Sequence, residues 1–119
     1  MKQWLIKQGN ASVQDIPVYD KDGVLLTNLA TTTSIKFQVK KNKTDASTKI
    51  AKTKGAGIEV NTPSAGYLRI TLTPTDTGID VGDYYMAIEL QWSSSEIYEV
   101  IIEIDDEKTD RFRIQQDII

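Results

Sequence analysis

"TLTPTDTGIDVGDYYMAIELQW" (residues 71–92) decides how this chain folds. Its second half alternates: Tyr84, Met86, Ile88 and Leu90 share one parity, and Tyr85, Ala87, Glu89 and Gln91 the other. That two-residue period belongs to a strand with one face buried. The first half is turn chemistry. Thr75 and Asp76 are placed to open one helical turn that Gly78 closes. A turn of this kind, followed by Gly-Asp-Tyr-Tyr-Met, fits a tyrosine corner, where a tyrosine near the start of a strand sends its hydroxyl back to the main chain upstream. On this reading Tyr84 is the corner, Asp76 and Thr77 close the loop, Gly82 allows the tight approach, and Met86 fills the core two positions on. The competing reading is a plain core tyrosine. Neither gives an activity.

Outward from this stretch, strand signals dominate. "SIKFQVK" puts Ile35, Phe37 and Val39 on one face, and "GYLRITL" does the same for Leu68, Ile70 and Leu72. "IYEVIIEI" aligns Tyr98, Val100, Ile102 and Ile104 against Ile97, Glu99, Ile101 and Glu103; the second set is half apolar, which predicts a strand covered on both sides. Shorter candidates are "QWLIK", "DIPVYD", "TKIAKT", "GIEVN" and "RFRIQQD". Pro17 cannot donate a ladder hydrogen bond, so its strand belongs on an edge or at a bend. Asp-Gly in "YDKDGV" is a hairpin signal, and "KGAG", "NTPSAG" and "WSSSE" mark further reversals. "TNLATTTS" is short and rich in threonine, a strand former. No stretch sustains a 3.6-residue period. The expected fold is all-β: one antiparallel immunoglobulin-like β-sandwich of about seven to nine short strands, a single domain over residues 1–119. A small closed barrel is the alternative.

Composition narrows the chemistry. The 119 residues include no cysteine and no histidine, which removes disulfides, thiolate zinc sites, thiol nucleophiles and the side chain that most often acts as a base near neutral pH. Net charge is −3, without the basic balance of a nucleic-acid binder. Lysines concentrate between Lys36 and Lys54, alternating with apolar residues as on the solvated face of an edge strand. The acidic counterpart runs from Glu99 to Asp110. No apolar run has the ~18 residues a membrane helix needs, and "WLI" is too short for the core of an export signal.

No phosphate loop, nucleophile elbow or zinc spacing occurs. Gly-Ala-Gly at residues 55–57 is read as a turn. The carboxylate groups (Asp20 with Asp22, Asp80 with Asp83, and Asp105 with Asp106 and Glu107) have nothing in the sequence to set them across a cleft. "DKDG" opens like a calcium loop but lacks its downstream acidic ligand, since Thr31 stands there. The expectation is therefore no catalytic residue, no cofactor and no metal. Four aromatics, Trp4, Tyr67, Tyr85 and Trp92, fall at strand ends or on the polar parity. Such residues form either protein-contact hot spots or sugar-stacking platforms, the first being the leading assignment.

The order of phrases resembles a known family. "WLIKQGN", "PVYDKDGVLLTNLATTTSIKFQVKKN", "GYLRITLTPTDTG", "VGDYYMAIEL" and "RFRIQQDI" are similar in sequence and spacing to the N-terminal immunoglobulin-like domain of the baseplate upper proteins of tailed phages of Gram-positive bacteria. The resemblance implies a non-enzymatic virion structural protein, made in the bacterial cytoplasm and carried in the phage tail. It would dock to other tail or baseplate proteins, with a homo-oligomer in the assembly and a supporting part in host adsorption, and without nucleic-acid binding or membrane insertion. In that family the domain attaches to the tail tip or distal-tail ring and carries receptor-binding fibres further along the chain. With nothing after Ile119 here, the expectation is an excised domain or a small accessory protein on the same sandwich. The alternative function is a carbohydrate-binding or cell-surface adhesion module.

Overall fold

The computed structural model describes residues 3–92, 97–104 and 106–116. Among them the regular elements are β1 (Trp4–Lys7), β2 (Ser12–Pro17), a 3₁₀ turn (Leu29–Thr31), β3 (Ser34–Lys40), β4 (Ile50–Lys54), β5 (Gly57–Val60), β6 (Tyr67–Leu72), β7 (Gly82–Gln91), β8 (Ile97–Val100), β9 (Glu103–Ile104), β10 (Glu107–Lys108) and β11 (Arg111–Gln115). The fold is all-β. Nine strands form one sheet in the order β1-β11-β7-β3-β4-β5-β6-β2, with β8 beside β7, while β9 and β10 make a separate ribbon. Pairing is antiparallel except between β1 and β11 and between β4 and β5.

This sheet nearly closes on itself. Its two end strands, β1 and β2, are consecutive in the chain, and Trp4 Nε1 donates to Ser12 Oγ across them at 2.9 Å. β2 at the end of the path accommodates Pro17, whose missing donor costs no ladder bond on the outer edge. At the opposite turn of the sheet, β4 and β5 touch over only two residue pairs, Thr53 with Gly57 and Lys54 with Ile58. The chain bends there through Gly55, at φ +83°.

The inward parity is the core. Ile35, Phe37, Val39, Ile88, Leu90, Leu68, Ile70, Leu72, Phe112 and Ile114 are all fully buried, each worth about 1.5–3 kcal/mol of transfer free energy. Trp4 joins them at 4 % exposure, its ring 5.7 Å from Phe37 and 5.6 Å from Phe112. The expectation of an exposed Trp4 is corrected: the first strand alternates Trp4 and Ile6 inward against Leu5 and Lys7 outward.

β7 organises the molecule. Along one edge it pairs with β3 from Tyr85 to Gln91. Its other edge is divided: β11 takes Gly82 to Tyr85 and β8 takes Ile88 to Gln91. Both neighbours run antiparallel to β7, so they form one strand line with an interruption. Between them the chain leaves the sheet as the β9–β10 hairpin, closed at its base by Thr109 N–H donating to the Ile102 carbonyl (2.9 Å), and returns where Met86 N–H donates to the Asp110 carbonyl (2.9 Å). Ile102 and Ile104 are buried by the excursion.

Three other expectations change. "IYEVIIEI" is not one strand covered on both faces: it breaks after Val100, and Ile97 and Ile101 stand 62 % and 60 % exposed. The lysines of β3 do lie on a solvated face, but β3 is an interior strand between β7 and β4. "TNLATTTS" forms the 3₁₀ turn, where the Thr31 and Thr32 hydroxyls donate to the Asn28 and Leu29 carbonyls instead of entering a ladder. The "YDKDGV" reversal is a small loop under a single bridge, Tyr19 with Leu25.

Candidate docking surface

The corner is built first, because it fixes where β7 begins. Thr73 takes the N-cap position of the turn instead of Thr75. Its main-chain N–H donates to Asp76 Oδ2 at 2.7 Å, its hydroxyl donates to the same oxygen at 3.0 Å, and the Asp76 N–H returns to Thr73 Oγ1 at 3.3 Å. This reciprocal pair is a capping box. Asp76 also meets Lys52 Nζ at 2.7 Å, with the two side chains 19 % and 16 % exposed. Burial pushes the Asp76 carboxyl up, but Lys52 and the two Thr73 donors outweigh it and hold the group below the ordinary aspartate value. Room for the Lys52 stem comes from Gly57, where an added Cβ would stand 2.5 Å from Lys52 Cδ.

Thr77, fully buried, donates its hydroxyl to the Asn10 carbonyl at 2.7 Å, and Gly9 N–H donates to the Thr77 carbonyl at 3.1 Å. These bonds tie the turn to the β1–β2 crossover. Tyr84 is 3 % exposed and donates its hydroxyl to the Asp80 carbonyl at 2.6 Å. Burial, and secondarily Asp80, raises its pKa. Gly82 sits at φ +150°, with Lys41 Nζ 2.9 Å from where a Cβ would be. The polar groups of the corner are bonded within its own loop and to the strands beside it.

The aromatics do not gather. Trp4 is in the core. Trp92 packs against the core rim and its Nε1 donates to the Asn28 carbonyl at 3.2 Å. Tyr67 is half-buried on β6, paired with Pro17 at the edge of the path. Tyr85 lies outward on β7, but Lys43 Nζ and the Arg111 guanidinium each lie 5.0 Å from its ring centroid. Asp110 holds that pair of cations, at 2.9 Å from Lys43 and 3.9 Å from Arg111. Its hydrogen bond keeps Lys43 protonated above the usual lysine value. Being solvated, these ion pairs add little stability; their effect is to cover the tyrosine.

What the fold does expose is the broken edge of β7. Opposite Met86 and Ala87, where β8 has ended and β11 has not begun, lies a groove of about 430 Å³ lined by Ala87, Glu99, Val100, Ile101, Ile102 and Thr109, among others. A second hollow of about 280 Å³ shares Met86, Ala87, Glu99 and Asp110 and extends toward Lys40 and Lys43. Among the described residues no strand pairs with the outer edge of β8. Its outward side chains are Ile97 and Glu99, followed by Ile101. Sequence reading missed this site, although the half-apolar second parity of "IYEVIIEI" was its signal.

No group of three or more metal-capable side chains occurs among the described residues. The Asp20 carboxylate is spent within its own loop, accepting from the N–H groups of Asp22 (2.8 Å) and Val24 (3.0 Å). Asp105 lies outside the described residues. No described helix is long and apolar enough to cross a membrane. No family model, curated protein or solved structure matches the chain.

Proposed function

We propose that this chain is a non-enzymatic docking module with an immunoglobulin-like sandwich, acting as a structural protein of a phage tail or baseplate through contacts with other virion proteins. The strand path supports the sandwich. On this reading the path is parted into β1-β11-β7-β3-β4, with β8, and β5-β6-β2 at the two-pair β4–β5 contact, and the Tyr84 bond to Asp80 falls in the connection from the second layer to the first. The assignment to a tail rests on the order of sequence phrases. The observation that carries the docking role is the open β8 edge with its groove, because an unpaired strand edge is the part of a sheet that recruits another chain.

Carbohydrate binding would need aromatic faces open side by side. Tyr85 is covered by its two cations and Trp4 is internal, so no geometry favours that second reading. The test is density-gradient sedimentation of particles from cells that encode the chain, with immunodetection. The module is expected to travel with tail particles and with assembled virions. Sedimentation only as a free 13.3 kDa species would contradict the assignment.

A further inference from the structure

We propose that the outer edge of β8 receives an extended strand of another protein that carries one lysine or arginine flanked, two residues to either side, by aliphatic side chains. This deepens the docking reading and rests on it for the use of that edge.

The main chain supplies the first argument. Met86 N–H bonds toward β11, at the Asp110 carbonyl, so by the two-residue alternation Ile88 and Leu90 bond toward β8 on the same side. Their register partners are Val100 and Tyr98. The main-chain groups of Ile97 and Glu99 therefore face away from β7. No described backbone group bonds to them there, which leaves a short template for an added strand.

The side chains specify the occupant. Glu99 is opposite Glu89 in the β7–β8 register, and Glu89 is opposite Lys36 in the β3–β7 register. Like charges directly opposed across strands are unfavourable, and Lys36 reaches this row only on its far side. A cation opposite Glu99 would give a four-strand row with a positive charge at each end and the two carboxylates between. Ile97 and Ile101 flank Glu99 on the same parity and, with Val24, are the most exposed large aliphatic side chains of the described residues. An added strand with aliphatic residues two positions either side of its cation would cover both, with one of them over the groove at Ala87 and Ile102. A second copy of this chain fits poorly. The two-fold pairing of β8 with itself that sets Ile97 against Ile101 also sets Glu99 against Glu99, making a row of four carboxylates.

The probe is acetyl-Thr-Ile-Thr-Lys-Thr-Ile-Thr-amide, with a twin carrying glutamate in place of lysine, titrated into the ¹⁵N-labelled 119-residue chain. The lysine peptide is expected to shift the amides of Ile97 to Ile101 and Ala87 and to bind at least about tenfold tighter than its twin. Glu99→Lys is exposed and reverses that preference. Equal binding of the two peptides, no binding, or shifts centred elsewhere would overturn the proposal. Concentration-dependent broadening of the same amides without peptide would do so too, by giving the edge to a second copy. The outcome is separable from the tail assignment: a chain absent from tail particles can still take the peptide, and a virion component can fail to.

Discussion

Asp76 and Lys52 show how much one pair of side chains can determine. Two strands and a turn meet at this ion pair, and the carboxylate also caps the turn. Removing the acid leaves an ammonium shielded from water with its partner gone, whereas removing the lysine leaves a carboxylate that still has two donors. Asp76→Ala is expected to cost about 2–3 kcal/mol in urea unfolding, and Lys52→Met roughly 1 kcal/mol or less. The Asp76 pKa lies below its unfolded value. Its contribution is therefore complete above the unfolded aspartate range, near 3.9, and is lost as pH falls through the folded value. An acid titration of stability should accordingly be shallower in Asp76→Asn than in the parent. Tyr84 has the opposite sign. Its raised pKa keeps the hydroxyl bond intact below about pH 10 and loses it as pH climbs through the folded value. Tyr84→Phe should cost about 1–2 kcal/mol at neutral pH, and the gap to wild type should narrow in alkaline solution. A gap independent of pH would mean that the hydroxyl bond is not what the substitution removes.

At the scale of elements, alternation was the legible quantity. β3, β6 and β7 fall, within a residue at either end, where "SIKFQVK", "GYLRITL" and "DYYMAIELQW" place them, because a strand packed on one side writes its orientation into every second residue. Partnership between strands was not legible. Nothing local in "IYEVIIEI" says that four residues will pair with β7 and that Glu103 and Ile104 will pair with β10 instead; that depends on where β11 rejoins the sheet. Trp4 failed for a related reason, since a four-residue strand offers too few alternations to show that Trp4 and Ile6 share the inner face. Lys52 was invisible because charge alone cannot reveal that a lysine opposite Phe37 turns inward to an acid more than twenty residues away. The hairpin supplies a sharp contrast. Ile102→Ala is expected to cost about 2–4 kcal/mol, as a buried aliphatic truncation, while Ile97→Ala and Ile101→Ala should stay within about 0.5 kcal/mol. Equal losses at Ile97 and Ile102 would mean that β8 is covered on both faces after all.

For the whole molecule, the braced corner and the unpaired edge lie at different places along β7. The capping box, the Thr77 bonds and the Tyr84 hydroxyl brace one end of β7. The other end of that strand has a neighbour that stops short and a groove beside it. The all-β class could be read from the chain itself, but the open edge could not, because it is a property of what does not pair among the described residues. That open edge is the central claim, and amide hydrogen exchange resolved by residue tests it most directly. Tyr98 and Val100, bonded to β7, should exchange slowly, and Ile97 and Glu99, facing outward, should exchange orders of magnitude faster. Four amides protected alike would contradict the account, since the edge assigned to a partner would then already be closed.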